Sequence, residues 1–217
     1  MSDITLRPRT ILASYRSGIV DAAPNAREFK SEILRKSIHF LIGLSPLLAG
    51  LNYPVAVTLL LAGVLGYIHM EGLRLAGFRV PLVSFITSKA SRPRDRGRFV
   101  RGPVTLGLGA LGALLIYPLP AASIAIYALA FGDGFASLVG KFWGRLRPGF
   151  LRGKSLEGCA ACFCATLFAA YQVSRDYRVA LAAAFAAAVT EALPLEDYDN
   201  LALPLVVGLV VGAVSRV

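Results

Sequence analysis

Asp133 stands between Gly132 and Gly134 in the stretch LAFGDGFASLVGKFWG, which is otherwise apolar enough to lie in a bilayer. An unpaired carboxylate there costs on the order of several kcal/mol, so an acid inside a span is by default a functional group with a partner. Other residues able to do chemistry surround it in sequence. In SEILRKSIHF, Glu32, Arg35, Lys36 and His39 recur at i, i+3, i+4 and i+7, which places them on one stripe of a helix. Glu71 and Arg74, after His69, have the i, i+3 spacing of a helical ion pair. Gly153, Lys154 and Ser155 open an apolar block, where free amides, a helix N-terminus, a cation and a hydroxyl suit a bound anion. This is no Walker A loop, because the first glycine of that pattern would fall on Pro148. Glu157 follows two residues after Ser155, at i+3 from Lys154. The run TEALPLEDYDNLALPL supplies Glu191, Glu196, Asp197, Asp199 and Asn200, either as a solvated capping loop or, with Asp133, as hard oxygen ligands for Mg²⁺. Lysines and arginines for phosphates, carboxylates for Mg²⁺ and apolar walls together fit phosphoryl transfer between a soluble nucleotide triphosphate and a lipid alcohol.

The elements that must position these groups follow from composition. Of 217 residues, 56% are hydrophobic and 17% charged, and the apolar ones fall into separated blocks: 38–51, 53–70, 103–117, 119–139, 156–171, 177–193 and 201–214. These blocks predict an all-α integral membrane protein, a bundle of about seven transmembrane helices. Rising about 1.5 Å per residue from Leu119, the fourth block would carry Asp133 roughly 20 Å into the membrane. The first block begins too late for a secretory signal, so the preceding residues are expected to stay in the protein. Residues 1–30 read as a basic tail or an interfacial helix, and 31–217 as the transmembrane domain. Cys159, Cys162 and Cys164 lie in a small-residue helical context and are expected to pack rather than bind metal.

The net charge of +10 is distributed unevenly. Twenty of the 23 lysines and arginines fall on the side that includes the N-terminus and three on the other, which predicts a cytoplasmic N-terminus and accounts for the basic charge without nucleic acid. All the polar clusters named above fall on that cytoplasmic side. The densest basic stretch, SKASRPRDRGRFVRG, is either an anchor to membrane lipid headgroups or a cover whose Arg92, Arg94, Arg96, Arg98 or Arg101 contacts a polyphosphate. The Gly208-x-x-x-Gly212 spacing and the glycines at 107, 109 and 112 suit close helix packing and would also serve a homodimer.

Glu32-x-x-Arg35-Lys36-x-x-His39, Gly132-Asp133, the run Lys154-Ser155-Leu156-Glu157-Gly158 and Asp199-Asn200 ahead of Pro204 resemble the polyprenol kinase family over about residues 30–210. That family comprises dolichol kinases, phytol kinases and CTP-dependent diacylglycerol kinases. It is similar in its C-terminal half to phosphatidate cytidylyltransferases. The resemblance implies transfer of the terminal phosphate of CTP, with Mg²⁺, to a lipid hydroxyl: polyprenol or dolichol first, otherwise phytol, geranylgeraniol or diacylglycerol. It implies that Lys154 and Ser155 bind the nucleotide phosphates, with Arg35, Lys36, Arg98 and Arg101 as further candidates. Asp133, Lys154 and Glu157 form the expected catalytic set, with Asp133 as base or metal ligand. Asp133, Glu191 and Asp199 are the expected metal ligands. Glu32, His39, Glu71, Arg74 and Asn200 complete the polar candidates. A cytidylyltransferase-like activity is the alternative, ahead of a small transporter, for which the polar groups should gather at the midplane of an internal repeat.

Overall fold

The computed structural model describes residues 26–81, 83, 84, 87, 95, 97–196 and 198–215. The segment 1–25, the loop arginines Arg92, Arg94 and Arg96, and Asp197 lie outside the described residues. Among the described residues the chain is helical, without strands. The helices are α1 (Ala26–Ile42), α2 (Ser45–Leu51), α3 (Tyr53–Leu75), α4 (Gly102–Ile116), α5 (Leu119–Tyr127), α6 (Asp133–Phe142), α7 (Leu156–Ser174), α8 (Tyr177–Ala192) and α9 (Asp199–Val214). A π-helical turn, Ala128–Gly132, joins α5 to α6 into one 24-residue rod.

Local chemistry sets several of these boundaries. The Asn52 side chain accepts a hydrogen bond from the Val55 amide at the start of α3, and Ser155 and Asp176 cap α7 and α8 in the same way. Arg175 closes α7 in the left-handed region, at φ 55°. The block 38–51, expected as one span, is instead two helices meeting at Gly43–Leu44, because Pro46 begins a new helix and cannot continue the hydrogen bonding of the old one.

Among the described residues, three helices are long and apolar enough to cross a membrane: α3, the α5–α6 rod and α7. Helices α4 and α9 are apolar but shorter. The rod is the centre of the bundle, with 67% of its apolar window buried, against 11% for α3 and 22% for α7. Small residues make this possible. Ala121, Ala122, Ala125, Ala128 and Ala130 are buried along the rod and let its neighbours approach closely. On α9, a Cβ at Gly208 would come within 2.2 Å of the Tyr117 ring, so this glycine of the G-x-x-x-G spacing is filled from within the same chain. The Tyr117 hydroxyl then donates to the Leu205 carbonyl at 2.6 Å.

Candidate functional site

The π turn carries one residue more per turn than an α-helix, and it ends immediately before Asp133. It therefore resets the face on which every polar residue of α6 lies. Gly132 and Gly134 on either side are contact points: a Cβ at Gly132 would lie 2.6 Å from Thr166 Oγ1 on α7, and one at Gly134 would lie 2.6 Å from the Phe40 ring on α1. Both neighbouring helices thus press against the backbone that holds the acid. Asp133 is buried and paired, as its position in an apolar rod requires. Lys36 Nζ, also buried, donates to Asp133 Oδ2. His39 Nδ1 stands 2.9 Å from the same oxygen, without the alignment of a normal hydrogen bond.

The stripe on α1 therefore splits between two acids. Lys36 and His39 face Asp133, while Glu32 and Arg35 pair at 2.6 Å. Glu32 is itself buried, accepting from Ser137 Oγ and lying 3.4 Å from Lys141 Nζ. Burial pushes its carboxyl up, but Arg35, the Ser137 hydroxyl, Lys36 and Lys141 together hold it below the usual glutamate value.

From the other side, Lys154 Nζ donates to the Glu191 carbonyl and lies 3.2 Å from Glu191 Oε1 and 3.7 Å from Asp199 Oδ2. The loop that carries it is held by Arg147, whose guanidinium donates to the carbonyls of Gly140 and Gly153. Asp133, Glu191 and Asp199, the three expected metal ligands, each present an oxygen within 4.8 Å of the other two. Glu191 Oε2 is buried without a hydrogen-bond partner among the described residues. These groups line a cavity of about 570 Å³ with Glu32, Arg35, Lys36, Lys141, Arg147, Lys154 and Ser155 in its walls. Five cations and four carboxylates thus face one space, enough positive charge for phosphates once a divalent ion offsets the acids.

Several residues expected at the site stand elsewhere. Glu157, expected in the catalytic set, does not line the cavity; it accepts the Arg145 and Leu146 amides at 2.9 and 3.0 Å. Glu71 is fully buried, held by Arg74 at 2.7 and 2.8 Å and by the Val100 amide at 3.0 Å. Arg74 also donates to the Arg98 carbonyl, so this pair fastens the end of the basic loop, and neither Arg98 nor Arg101 lines the cavity. Asn200 Nδ2 donates to Thr105 Oγ1 at 3.0 Å and joins α9 to α4 behind Asp199. Ser155 does line the cavity, while its hydroxyl accepts the Gly158 amide as the cap of α7.

Ser137, Lys141 and Arg147 were not expected at the site. The first two have a sequence signal, because Asp133, Ser137 and Lys141 recur at i, i+4 and i+8 on α6. Arg147 has none, since only the fold of the loop brings it to Gly140.

No family model and no solved structure matches the chain. Curated relatives do. A phytol kinase of Synechocystis sp. is 31% identical over 199 residues, covering 85% of this chain and 80% of its own length. A probable chloroplastic phytol kinase of Triticum aestivum is 26% identical, covering 88% of this chain and 70% of its own length. The CTP-dependent diacylglycerol kinase 1 of Schizosaccharomyces pombe is 28% identical over 146 residues, covering 65% and 66%. The Synechocystis match, extending over most of both chains, shows that this chain belongs to the family of polyprenol, phytol and CTP-dependent diacylglycerol kinases.

Proposed function

We propose that the protein is a CTP-dependent lipid kinase that transfers the terminal phosphate of CTP to the hydroxyl of a membrane lipid alcohol. The observation that carries this reading is the meeting of Asp133, Glu191 and Asp199 with Lys36 and Lys154 in one cavity between apolar helices. The names of the relatives, phytol kinase and CTP-dependent diacylglycerol kinase, supply the donor and the acceptor class. They make phytol the first acceptor to test, ahead of polyprenol or dolichol.

The residues fit Mg²⁺. Three hard oxygen donors converge, and one of their carboxylates retains a buried oxygen without a partner among the described residues. Glu191 and Asp199 would hold the ion beside Asp133, and its contribution is to neutralise charge on the transferring phosphate. Lys154, Lys36, Arg35, Lys141 and Arg147 bind the phosphate oxygens, taking the role expected of the loop arginines Arg98 and Arg101. The Asp133 carboxylate accepts the proton of the lipid hydroxyl. That oxygen then forms the new bond to the terminal phosphorus as the bond to the CDP oxygen breaks. Glu32 holds Arg35 and Lys141 toward the phosphates. Positive-inside counting, twenty against three, supports a site on the cytoplasmic face with the N-terminus on that side.

Label transfer in mixed micelles tests the reading. Purified protein with Mg²⁺ should move label from gamma-labelled CTP, and none from alpha-labelled CTP, onto phytol, geranylgeraniol, polyprenol or diacylglycerol. Chelation should stop the transfer. Label moving from the alpha position onto phosphatidate, supplied in a parallel reaction, would instead establish a cytidylyltransferase, and no transfer to any alcohol by folded protein would overturn the kinase reading.

A further inference from the structure

The connection from α6 to α7 is built as a rigid platform that points large apolar side chains outward. Its inner side is tied down. Glu157 accepts the Arg145 and Leu146 amides, the Leu156 amide donates to the Leu146 carbonyl at 2.9 Å, Arg147 bridges Gly140 and Gly153, and Leu151 is buried. Its outer side exposes Trp143, Leu146 and Phe150 at 66%, 56% and 75%, with Arg145 and Arg152 also exposed. Arg152 and Gly153 take left-handed φ of 45° and 97°, turning the chain back so that Lys154 enters the cavity. Phe29 of α1, itself exposed, packs on Phe142 at 4.6 Å beside this segment.

Two helices of membrane-crossing length meet this segment, the rod ending at Phe142 and α7 beginning at Leu156. Aromatic side chains with neighbouring arginines, at the end of two such helices, match the chemistry of the bilayer interface. We propose that residues 143–152 form a membrane-docking surface, with Trp143, Leu146 and Phe150 seated in the headgroup and acyl boundary of an anionic leaflet and Arg145 and Arg152 against its phosphates. The occupant is lipid rather than a second protein because the adjoining spanning helices also expose apolar side chains, Phe135 on the rod and Leu156 and Phe168 on α7, and the flanking charges are cationic. The surface rests on the membrane reading given above. Its consequence is that the mouth of the cavity is held at the depth where a lipid hydroxyl lies.

Trp143 is the chain's single tryptophan, so its fluorescence reports this surface alone. The full-length protein is reconstituted in phosphatidylcholine and phosphatidylglycerol vesicles with lipids brominated near the carbonyl end or near the middle of the acyl chain. The expected result is loss of Trp143 emission that is greater with the shallow bromines, and a shift to shorter wavelength relative to denatured protein. Arg145→Gln with Arg152→Gln should remove the dependence of that quenching on phosphatidylglycerol. Quenching by aqueous iodide as efficient as in denatured protein, with none by brominated lipid, overturns the proposal. Protection from both quenchers assigns the patch to a protein contact and also overturns it. The readout is independent of catalysis: lipid quenching without phosphate transfer refutes the kinase reading alone, and transfer without lipid quenching refutes the docking surface alone.

Discussion

Replacing Asp133 by Asn leaves the Lys36 ammonium buried without its counter-ion. Both residues are almost sealed from solvent, at 6% and 3% exposure, and removing one partner of such a pair costs about 3–5 kcal/mol. Lys36→Met strands the carboxylate instead and should cost a similar amount. The double variant Asp133→Asn, Lys36→Met removes both charges and keeps His39 beside the amide. It should therefore return to within about 2 kcal/mol of the parent, as buried pairs replaced together do. Thermal unfolding in detergent micelles measures all four corners of this cycle. Activity separates the acid's two roles. Loss of a proton acceptor lowers kcat on the order of 10²–10⁴-fold, so the double variant, its fold restored, should stay inactive. A double variant that transfers phosphate at near-parent rates would show that Asp133 is only the counter-ion of Lys36. Asp133→Asn as stable as the parent would refute the buried pair itself.

Glu157→Gln keeps one acceptor for the Arg145 and Leu146 amides and leaves the cavity lining intact. It should lower the unfolding temperature slightly and change kcat by less than about tenfold, whereas a residue acting directly in proton transfer would lose more. Gly208→Ala drives a methyl into the Tyr117 ring and should destabilise by about 1–3 kcal/mol through overpacking, read as a lower unfolding midpoint. Glu32 has a depressed carboxyl value, so its contribution to stability is full above the ordinary glutamate range and disappears as pH falls through the depressed value. A plot of unfolding midpoint against pH should lose that acid-side slope in Glu32→Gln. Mg²⁺ should raise the midpoint of the parent protein and leave Glu191→Gln with Asp199→Asn unchanged, by differential scanning fluorimetry without substrate.

Much of the site was legible because helical spacing converts directly into a shared face. Glu32, Arg35, Lys36 and His39 lie along one stripe of α1, and Glu71 pairs with Arg74 one turn on. Spacing says nothing of what lies opposite a face. Nothing in the spacing of the α1 stripe shows that Lys36 reaches 97 residues along the chain to Asp133. Glu157 shows the converse. Its place in the motif suggested chemistry, while the loop folding back across the start of α7 gives its carboxylate two amides to hold.

The apolar blocks, the basic asymmetry and the acids inside them were determined by the sequence alone, because hydrophobicity and charge act residue by residue. The break at Pro46 also follows from a local rule, a missing amide that ends one helix and starts another. Only the tertiary structure decided which acids meet. Glu191 and Asp199 leave separate helices, and Asp133 follows a π turn that no periodicity marks, so their approach to within 4.8 Å depends on packing across the bundle. The proposed metal and phosphate sites are made of side chains distant in sequence, and the contacts that bring them together exist only once the helices have closed on the central rod.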